Sequence, residues 1–305
     1  MFENSAEYRL AARAFLKGRW QNAMLVTFFS TVITTAMSVV MTFISPALYE
    51  QLTSLLYMEI TMEELVGNVL SACAIPLKVM AALMILELLV GEVLALGRLS
   101  FFENIVQGKT AAFRDLFSRF RIFGKSILLR VLMYVKILLW ALPGMALYAG
   151  LLLLLSTKQV NSADDINFLL SLVSILEFIG IGAVTVPAII AYFRYCMAPY
   201  MMAQIPSAGA MDCIRKSREL MNGKKKFYFL LLLGFMGWLL AVELMSSFLS
   251  GISYPLYVVA YLFASLALDA YMEMTKTVFY VRLTGQLVMR RVTSEQDIND
   301  IDEGE

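Results

Sequence analysis

The chain of 305 residues contains no histidine and only three cysteines. Without histidine, a Ser-His-Asp triad, a Cys-His dyad and any histidine-ligated metal are excluded. Cys73, Cys196 and Cys213 are far apart and odd in number, so neither a disulfide framework nor a zinc cluster is expected. We therefore predict a protein with no metal site, no cofactor and no catalytic residues, which is not an enzyme.

Charged residues are also scarce. They make up 16% of the chain, apolar residues make up 60%, and the mean hydropathy is +0.72. Because a soluble domain has about a quarter of its residues charged, this chain has too little polar surface to cover a water-soluble globule. The composition predicts an all-α, polytopic membrane protein.

Six stretches are long and apolar enough to cross a bilayer as helices, which takes about 20 residues each. The predicted spans divide the chain into a cytoplasmic amphipathic arm (1–20), a six-helix membrane domain (21–285) and an acidic, disordered tail (286–305). The spans cover residues 23–48, 69–96, 126–155, 168–192, 227–249 and 255–280.

Lysine and arginine alternate between the loops of this arrangement. The segments before the first, third and fifth spans and the start of the tail are basic, whereas the loops after the first and third spans are mainly acidic, as at Glu63 and Asp164. Basic loops stay on the cytoplasmic side of a membrane. Both termini are therefore predicted to face the cytoplasm.

The basic segments before the odd-numbered spans also have apolar residues at helical spacing. We predict interfacial amphipathic helices in the N-terminal arm, at about 98–125 and at about 207–223, with a glycine ending each helix as a left-handed cap. This pattern indicates three helical-hairpin repeats, although basic juxtamembrane segments also produce such matches by chance. In each copy an arginine, four residues and a glycine precede a basic residue: Arg13–Gly18–Arg19, Arg119–Gly124–Lys125 and Arg218–Gly223–Lys224.

Four ordered motifs extend over most of the chain: ARAFLKGRW at 12–20, FRDLFSRF at 113–120, YCMAPY at 195–200, and SRELMNGK at 217–224 with FMGW at 235–238. Together they resemble an uncharacterised bacterial family of integral membrane proteins of the Gram-positive type, a domain of unknown function. That family is remotely similar to the membrane domain of some glycerophosphodiester phosphodiesterases. Pro187-Ala188 departs from its usual Pro-Gly. The resemblance implies a multi-pass protein of the bacterial cytoplasmic membrane and no catalytic residues.

Charged side chains inside the predicted spans each cost about 2.5–3.5 kcal/mol at the bilayer centre and need a reason. Both layers that they form mix signs. They either pair across helices, with Lys136 as the partner of an inner acid, or form a polar pathway for a cation or a proton. The inner layer is Glu87, Lys136, Asp269, Glu273 and Lys276, and the outer layer is Lys78, Glu177 and Glu243.

Two hypotheses of function remain open. The first is a non-enzymatic accessory or lipid-interacting protein without a nucleic-acid partner, and the second is a small transporter or channel-like protein that uses the inner layer. A water-accessible cavity at the inner acids would favour the second, and acids sealed in ion pairs would favour the first. The first hypothesis assigns contacts with anionic headgroups to Arg13, Arg119, Arg218, Lys224, Lys225 and Lys226.

Overall fold

A computed structural model describes residues 4–56, 62–156 and 163–285, with the backbone alone for most of 38–70 and 151–177. The described residues are helices and their connections, with no strand among them. A π-helical turn (Glu87–Gly91) joins α3 to α4, and two short 3-10 turns (Phe113–Phe117 and Phe120–Ile122) precede α5. The helices are α1 (Ser5–Leu16), α2 (Trp20–Leu56), α3 (Met62–Leu86), α4 (Glu92–Val106), α5 (Phe123–Ser156), α6 (Ala163–Tyr195), α7 (Ala198–Gln204), α8 (Ala210–Leu220), α9 (Lys225–Leu233), α10 (Met236–Ser250) and α11 (Tyr254–Leu283).

Five stretches of helix are long and apolar enough to cross a membrane within the part of the chain that the structure describes. Each of them overlaps one of the second to sixth predicted spans. The first predicted span lies in α2, most of whose second half is described by its backbone alone, so the count of six stays a prediction. The five are Ser71–Val106, Phe113–Gly150, Phe178–Gln204, Lys225–Leu249 and Pro255–Leu283.

The long helices pack as neighbouring pairs in chain order. Helix α2 packs against α3, α5 against α6, and α10 against α11. The α5–α6 crossing is close: a Cβ atom at Gly144 would collide with the backbone of Ala183, and one at Gly180 would collide with the ring of Tyr148. The pairing is that expected of three hairpins, whereas their origin as repeats stays a prediction.

Buried residues are concentrated at one end of the helices, which we call the basal layer. It comprises α1, α4, the two 3-10 turns, α7, α8, α9, the adjoining ends of α2, α5 and α6, and the C-terminal part of α11. Tyr8, Phe102, Met202 and Phe279 are at most 1% exposed there. Towards the other end large apolar side chains are open, and Phe178 is 82% exposed. Surfaces this apolar on long helices are typical of contact with lipid.

The apolar faces of α1 and α8 pack on protein and not on lipid, and the position of these two helices in the headgroup layer stays a prediction. The Tyr8 ring lies 5.5 Å from the ring of Phe227 and 5.7 Å from that of Phe279 (centroid distances), and Ala12 is fully buried. On α8, Cys213 is fully buried as well. An apolar stripe is satisfied equally by lipid and by a neighbouring apolar helix, and here the neighbours are α9 and α11 for α1, and α5 and α7 for α8.

The left-handed glycine caps are confirmed in two of the three predicted places. Gly18 and Gly223 have φ angles of 73° and 71°. The third prediction is wrong, because Gly124 lies inside α5 and the predicted helix at 98–125 is not continuous. Instead α4 ends at Val106, and Gly108, with φ of 70°, turns the chain towards the two 3-10 turns.

Candidate functional site

A cavity of about 230 Å³ lies within the basal layer, between α4, α5, α6, α7, α9 and α11. Its wall carries three cationic side chains, Arg98, Arg130 and Lys276, and one carboxylate, Glu273. Phenol rings and the Cys196 thiol complete its polar lining. The helices that supply these groups are far apart in the sequence, so tertiary packing alone creates this site.

Glu273 on α11 is the central acid of the wall and is 5% exposed. Its Oε1 accepts a hydrogen bond from the Tyr200 hydroxyl at 2.5 Å. Its Oε2 lies 3.5 Å from Nη2 of Arg98 and 3.3 Å from Nζ of Lys276. Both distances exceed the 2.7–2.9 Å or so of a short charge-assisted hydrogen bond. One carboxylate oxygen is therefore shared loosely between two cations.

Tyr200 is held in position by a second phenol. Its ring stacks on that of Tyr280 with centroids 5.3 Å apart, and the Tyr280 hydroxyl donates to the side-chain oxygen of Gln204 at 2.8 Å. Pro199, which precedes Tyr200, occupies the first turn of α7, where the absence of an N–H costs no helical hydrogen bond. These contacts hold the Tyr200 hydroxyl in the position from which it donates its hydrogen bond to Glu273.

Arg130, the third cation of the wall, forms an ion pair with Glu92. Nε of Arg130 on α5 lies 2.5 Å from Oε2 of Glu92, which opens α4 directly after the π-helical turn. The Arg130 guanidinium also lies 5.7 Å from the ring centroid of Tyr134. Glu92 is 7% exposed, so this is a nearly buried ion pair between two of the long apolar helices.

The carboxylate of Glu87, at the start of the π-helical turn, is hydrogen-bonded through only one of its two oxygens among the described residues. Its Oε1 accepts a hydrogen bond from Thr34 Oγ1 at 3.0 Å, whereas its Oε2 is buried and has no hydrogen-bond partner among the described residues. A Cβ atom at Gly91 would collide with this carboxylate. The Glu87 side chain therefore lies along the π-helical turn that it begins, next to Gly91. Single π-helical turns of this kind are frequent at functional sites.

The structure brings together only part of the predicted inner layer. Glu273 and Lys276 form an ion pair, and Asp269, one turn earlier, is exposed and interacts with Arg98 only at longer range. Lys136 forms no ion pair with any described carboxylate. The prediction that Lys136 neutralises an inner acid is therefore wrong.

Sequence reasoning missed Arg98, Arg130 and Glu92. Arg98 was assigned to a cytoplasmic loop because the second span was predicted to end at residue 96, whereas α4 continues to Val106. Glu92 and Arg130 each lie within a predicted span, near its basal end. Opposite charges at matching depths in neighbouring spans were the signal that could have identified this pair.

The predicted outer layer is dispersed. Lys78 on α3 and Glu243 on α10 are both exposed. The side chain of Glu177 lies outside the described residues. Lys78 forms no ion pair within the described ranges. This layer therefore does not assemble into a site there.

Most of the predicted headgroup contacts are accessible. Arg13, Arg218 and Lys226 are exposed, and Lys224 and Lys225 are half-buried. Arg119 is the exception, because its Nε donates to Ser100 Oγ at 2.6 Å and the side chain turns towards α4. The headgroup contact of Arg119 stays a prediction, as do those of the other five residues.

A row of aromatic rings, which we call the phenylalanine face, lies on the outside of the basal layer. It consists of Phe29, Phe113, Phe117, Phe120 and Phe123, whose exposed fractions lie between 38% and 50%. Successive ring centroids from Phe29 through Phe113 and Phe117 to Phe120 are 5.2, 5.9 and 6.1 Å apart. The first four rings form one continuous apolar surface, and Phe123 is exposed at the start of α5. The exposed cations Arg114, Arg121 and Lys125 lie in the same segment of the chain.

Contacts below the phenylalanine face hold its 3-10 turns against α4. Leu116 is fully buried, and a Cβ atom at Gly97 would collide with the Leu116 carbonyl. The Asp115 carboxylate accepts hydrogen bonds from the Asn104 amide at 3.0 Å and from the Ala112 backbone N–H at 3.1 Å. The segment is thus fixed on its inner side while its rings remain open on the outer side.

The cysteines show no sign of shared chemistry. Cys196 and Cys213 are buried and unbridged, and burial raises the pKa of the Cys213 thiol above its ordinary value. A thiol that stays protonated is a weak nucleophile and a poor metal ligand. No cluster of three or more potential metal-ligating side chains occurs in the described ranges.

Comparison with known proteins gives one match. Residues 1–286 match a family described as "Protein of unknown function (DUF975)". No curated protein and no solved structure matches the chain. The match extends over every described helix, the cavity and the phenylalanine face. Its description names no activity.

Proposed function

The chain belongs to the DUF975 family of proteins of unknown function, and from this premise we propose that it is a non-enzymatic, lipid-interacting protein of the bacterial cytoplasmic membrane. In this proposal six helices span the bilayer and the basal layer lies at the cytoplasmic surface. The phenylalanine face is the part that binds the headgroup layer. The observation that carries the proposal is the continuous exposure of these rings beside basic side chains.

The area and chemistry of the phenylalanine face support a lipid partner. Adjacent aromatic rings that are 38–50% exposed form an apolar patch that would be costly to leave in water. Arg114 and Arg121 are exposed in the same segment. An apolar surface flanked by cations matches the boundary between acyl chains and anionic headgroups, where each basic side chain contributes about 1 kcal/mol.

The rigidity of the segment supports the same partner. The hydrogen bonds of Asp115 and the close approach of Gly97 to Leu116 already hold the rings in place. A surface fixed in its binding geometry loses little conformational entropy when it inserts. The phenylalanine face therefore behaves as a preformed anchor for the basal layer.

The proposed orientation rests on charge. The exposed cations Arg13, Arg218 and Lys226 belong to segments of the basal layer or next to it, and Lys and Arg are retained on the cytoplasmic side of membranes. Helix α1 packs against α11, which supports placing the N-terminus and the end of the last helix on one side. The Gram-positive origin and the similarity to phosphodiesterase membrane domains stay predictions.

The experiment measures the depth of a nitroxide label at S118C in vesicles that contain phosphatidylglycerol. Cys73 is replaced by Ala, whereas Cys196 and Cys213 are left because they are buried. We expect the label in the native sequence to lie within about 10 Å of the headgroup boundary. Phe117→Asp combined with Phe120→Asp should move it towards water, because the apolar face is lost.

The matched control is Met211→Asp on α8, an apolar side chain that is 56% exposed outside the phenylalanine face. It should leave the label depth at Ser118 unchanged. Label depth that is insensitive to the double aspartate change would show that the phenylalanine face does not bind lipid. Equal shifts from the control would mean that any exposed charge displaces the segment.

Two observations favour a second candidate function, a small transporter for protons or cations. The cavity reaches the inner acid Glu273, although that acid is held in ion pairs with Arg98 and Lys276. The Oε2 of Glu87, beside the π-helical turn, is buried and has no hydrogen-bond partner among the described residues. A carboxylate in such a position exchanges a proton or binds a cation readily. Proton or sodium flux into proteoliposomes, abolished by Glu87→Gln and retained in Glu243→Gln, would support this function, and the absence of flux would remove it.

A further inference from the structure

We propose that the cavity of the basal layer is a binding site for an oxyanion of the phosphate type, held by Arg98, Lys276 and Tyr192. This site is separate from the phenylalanine face, and it does not depend on the lipid-anchor function.

The wall of the cavity is rich in cations. Arg98, Arg130 and Lys276 line it against the single lining carboxylate of Glu273. Arg130 is engaged by Glu92, which leaves Arg98 and Lys276 to share one oxygen of Glu273 at 3.5 and 3.3 Å. Two cations that share one acceptor at these lengths retain capacity for a second anion.

One donor in the wall is buried without an acceptor, and a second is accessible. The Nε–H of Arg98 is buried and has no partner among the described residues. The Tyr192 side chain also lines the cavity, and because it is 44% exposed its hydroxyl is an accessible donor and not a buried one. A buried donor without an acceptor is costly, and a cavity beside it is where a ligand oxygen would satisfy it. A planar guanidinium edge with a neighbouring ammonium is the donor set that suits a phosphate group.

Asp269, the next acid to Glu273 along α11, does not line the cavity. Asp269 lies one helical turn before Glu273, is exposed and interacts with Arg98 and Lys276 through space without forming an ion pair. It reduces the net charge of the region but provides no oxygen to the free donors. An oxyanion would therefore bind in addition to Asp269 and not in place of it.

The volume of the cavity limits the size of the ligand that it can hold. At about 230 Å³ the cavity is far larger than a single water requires and smaller than the roughly 300–1,000 Å³ of most small-molecule pockets. A phosphate group with a short substituent fits this range. The group has two possible sources, the headgroup of an anionic lipid and a free phosphate from the aqueous phase.

The first test measures binding of inorganic phosphate to the full-length protein in an uncharged detergent, by titration calorimetry and by the melting temperature. Chloride at equal ionic strength is the reference. We expect phosphate to bind and to raise the melting temperature. Lys276→Gln should weaken binding at least about tenfold, because a charged hydrogen bond is lost. Lys136→Gln, which removes an intramembrane lysine outside the cavity, should change binding less than about twofold.

The second test distinguishes the sources of the phosphate group. The protein is reconstituted in nanodiscs of phosphatidylglycerol and phosphatidylcholine, and the phosphatidylglycerol that stays bound after extraction is counted by mass spectrometry. Retention of one phosphatidylglycerol by the native protein and none by Lys276→Gln assigns the site to a headgroup. Binding of inorganic phosphate without such retention assigns it to a free anion.

The proposal is overturned if neither probe binds, or if Lys136→Gln weakens binding as much as Lys276→Gln does. If Lys276→Gln fails to fold, Tyr192→Phe takes its place, because it removes only one hydroxyl from the wall. Unchanged affinity in Tyr192→Phe together with unchanged affinity in Arg98→Lys would also overturn it. Failure of the phenylalanine-face experiment leaves these readouts unaffected, so the two proposals are tested separately.

Discussion

The hydroxyl of Tyr200 donates a hydrogen bond of 2.5 Å to the carboxylate of Glu273, 73 residues further along the chain. This bond joins α7, a short helix that follows the long helix α6, to α11, the last helix of the described residues. Glu273 also attracts Arg98 from α4. One carboxylate thus connects three separate parts of the basal layer, and it does so at the wall of the cavity.

Loss of the Tyr200 hydroxyl should destabilise the protein more than loss of a comparable hydroxyl nearby. Tyr200→Phe removes a hydrogen bond to a buried carboxylate, worth about 1.5–3 kcal/mol, whereas a bond between neutral groups contributes about 0.5–1.5 kcal/mol. The matched control is Tyr280→Phe, whose hydroxyl donates to the neutral Gln204. Denaturant unfolding in detergent measures both, and a smaller loss for Tyr200→Phe would refute the assigned role.

The Glu92–Arg130 pair should behave as a buried ion pair. Arg130→Met leaves the Glu92 carboxylate uncompensated, which costs about 3–5 kcal/mol, whereas replacing both partners with apolar residues is often nearly neutral. We expect Arg130→Met to lower the melting temperature and Glu92→Leu to restore much of it in the double variant. Lys136→Met is the control with little expected effect, since Lys136 has no ion-pair partner among the described residues. A double variant as unstable as Arg130→Met contradicts the pairing.

Gly97 should tolerate no side chain. Gly97→Ala would force its Cβ against the Leu116 carbonyl and push the 3-10 turn away from α4, and overpacking of this kind costs about 1–3 kcal/mol or more. The comparison is Gly182→Ala in α6, where a Cβ would meet no atom within 4 Å. Thermal unfolding should show a loss for the first change and little or none for the second. If Gly97→Ala melted at the same temperature as Gly182→Ala, the 3-10 turn would be able to move away from α4 without loss of stability.

The topology should follow the alternation of basic and acidic loops. Single cysteines introduced at Glu63 and Asp164 should react with a membrane-impermeant maleimide on intact cells, whereas those at Lys109 and Asn222 should react only after permeabilisation. Cys73 is replaced by Ala so that it does not contribute to the signal. External labelling at Asn222 would overturn both the orientation and the six-span arrangement.

Local sequence determined the helices and the glycine turns that end two of them. Inside a bilayer the backbone N–H and C=O groups of an apolar segment have no water to bond to. A single segment satisfies them within itself only by forming a helix. The five membrane-length stretches therefore overlap predicted spans. Gly18 and Gly223 end short helices for an equally local reason, since the left-handed conformation that they adopt is costly for other residues.

Tertiary structure decided which side chains meet. Hydropathy gives the depth of a charge along its helix but not the rotation of that helix about its axis. The ion pairs of Glu273 with Arg98 and of Glu92 with Arg130 depend on that rotation, and Lys136 was the plausible partner only by depth. The amphipathic stripes of α1 and α8 were visible in the sequence as well. Whether lipid or protein covers such a stripe depends on which apolar surface lies opposite, and that is fixed only when the helices pack.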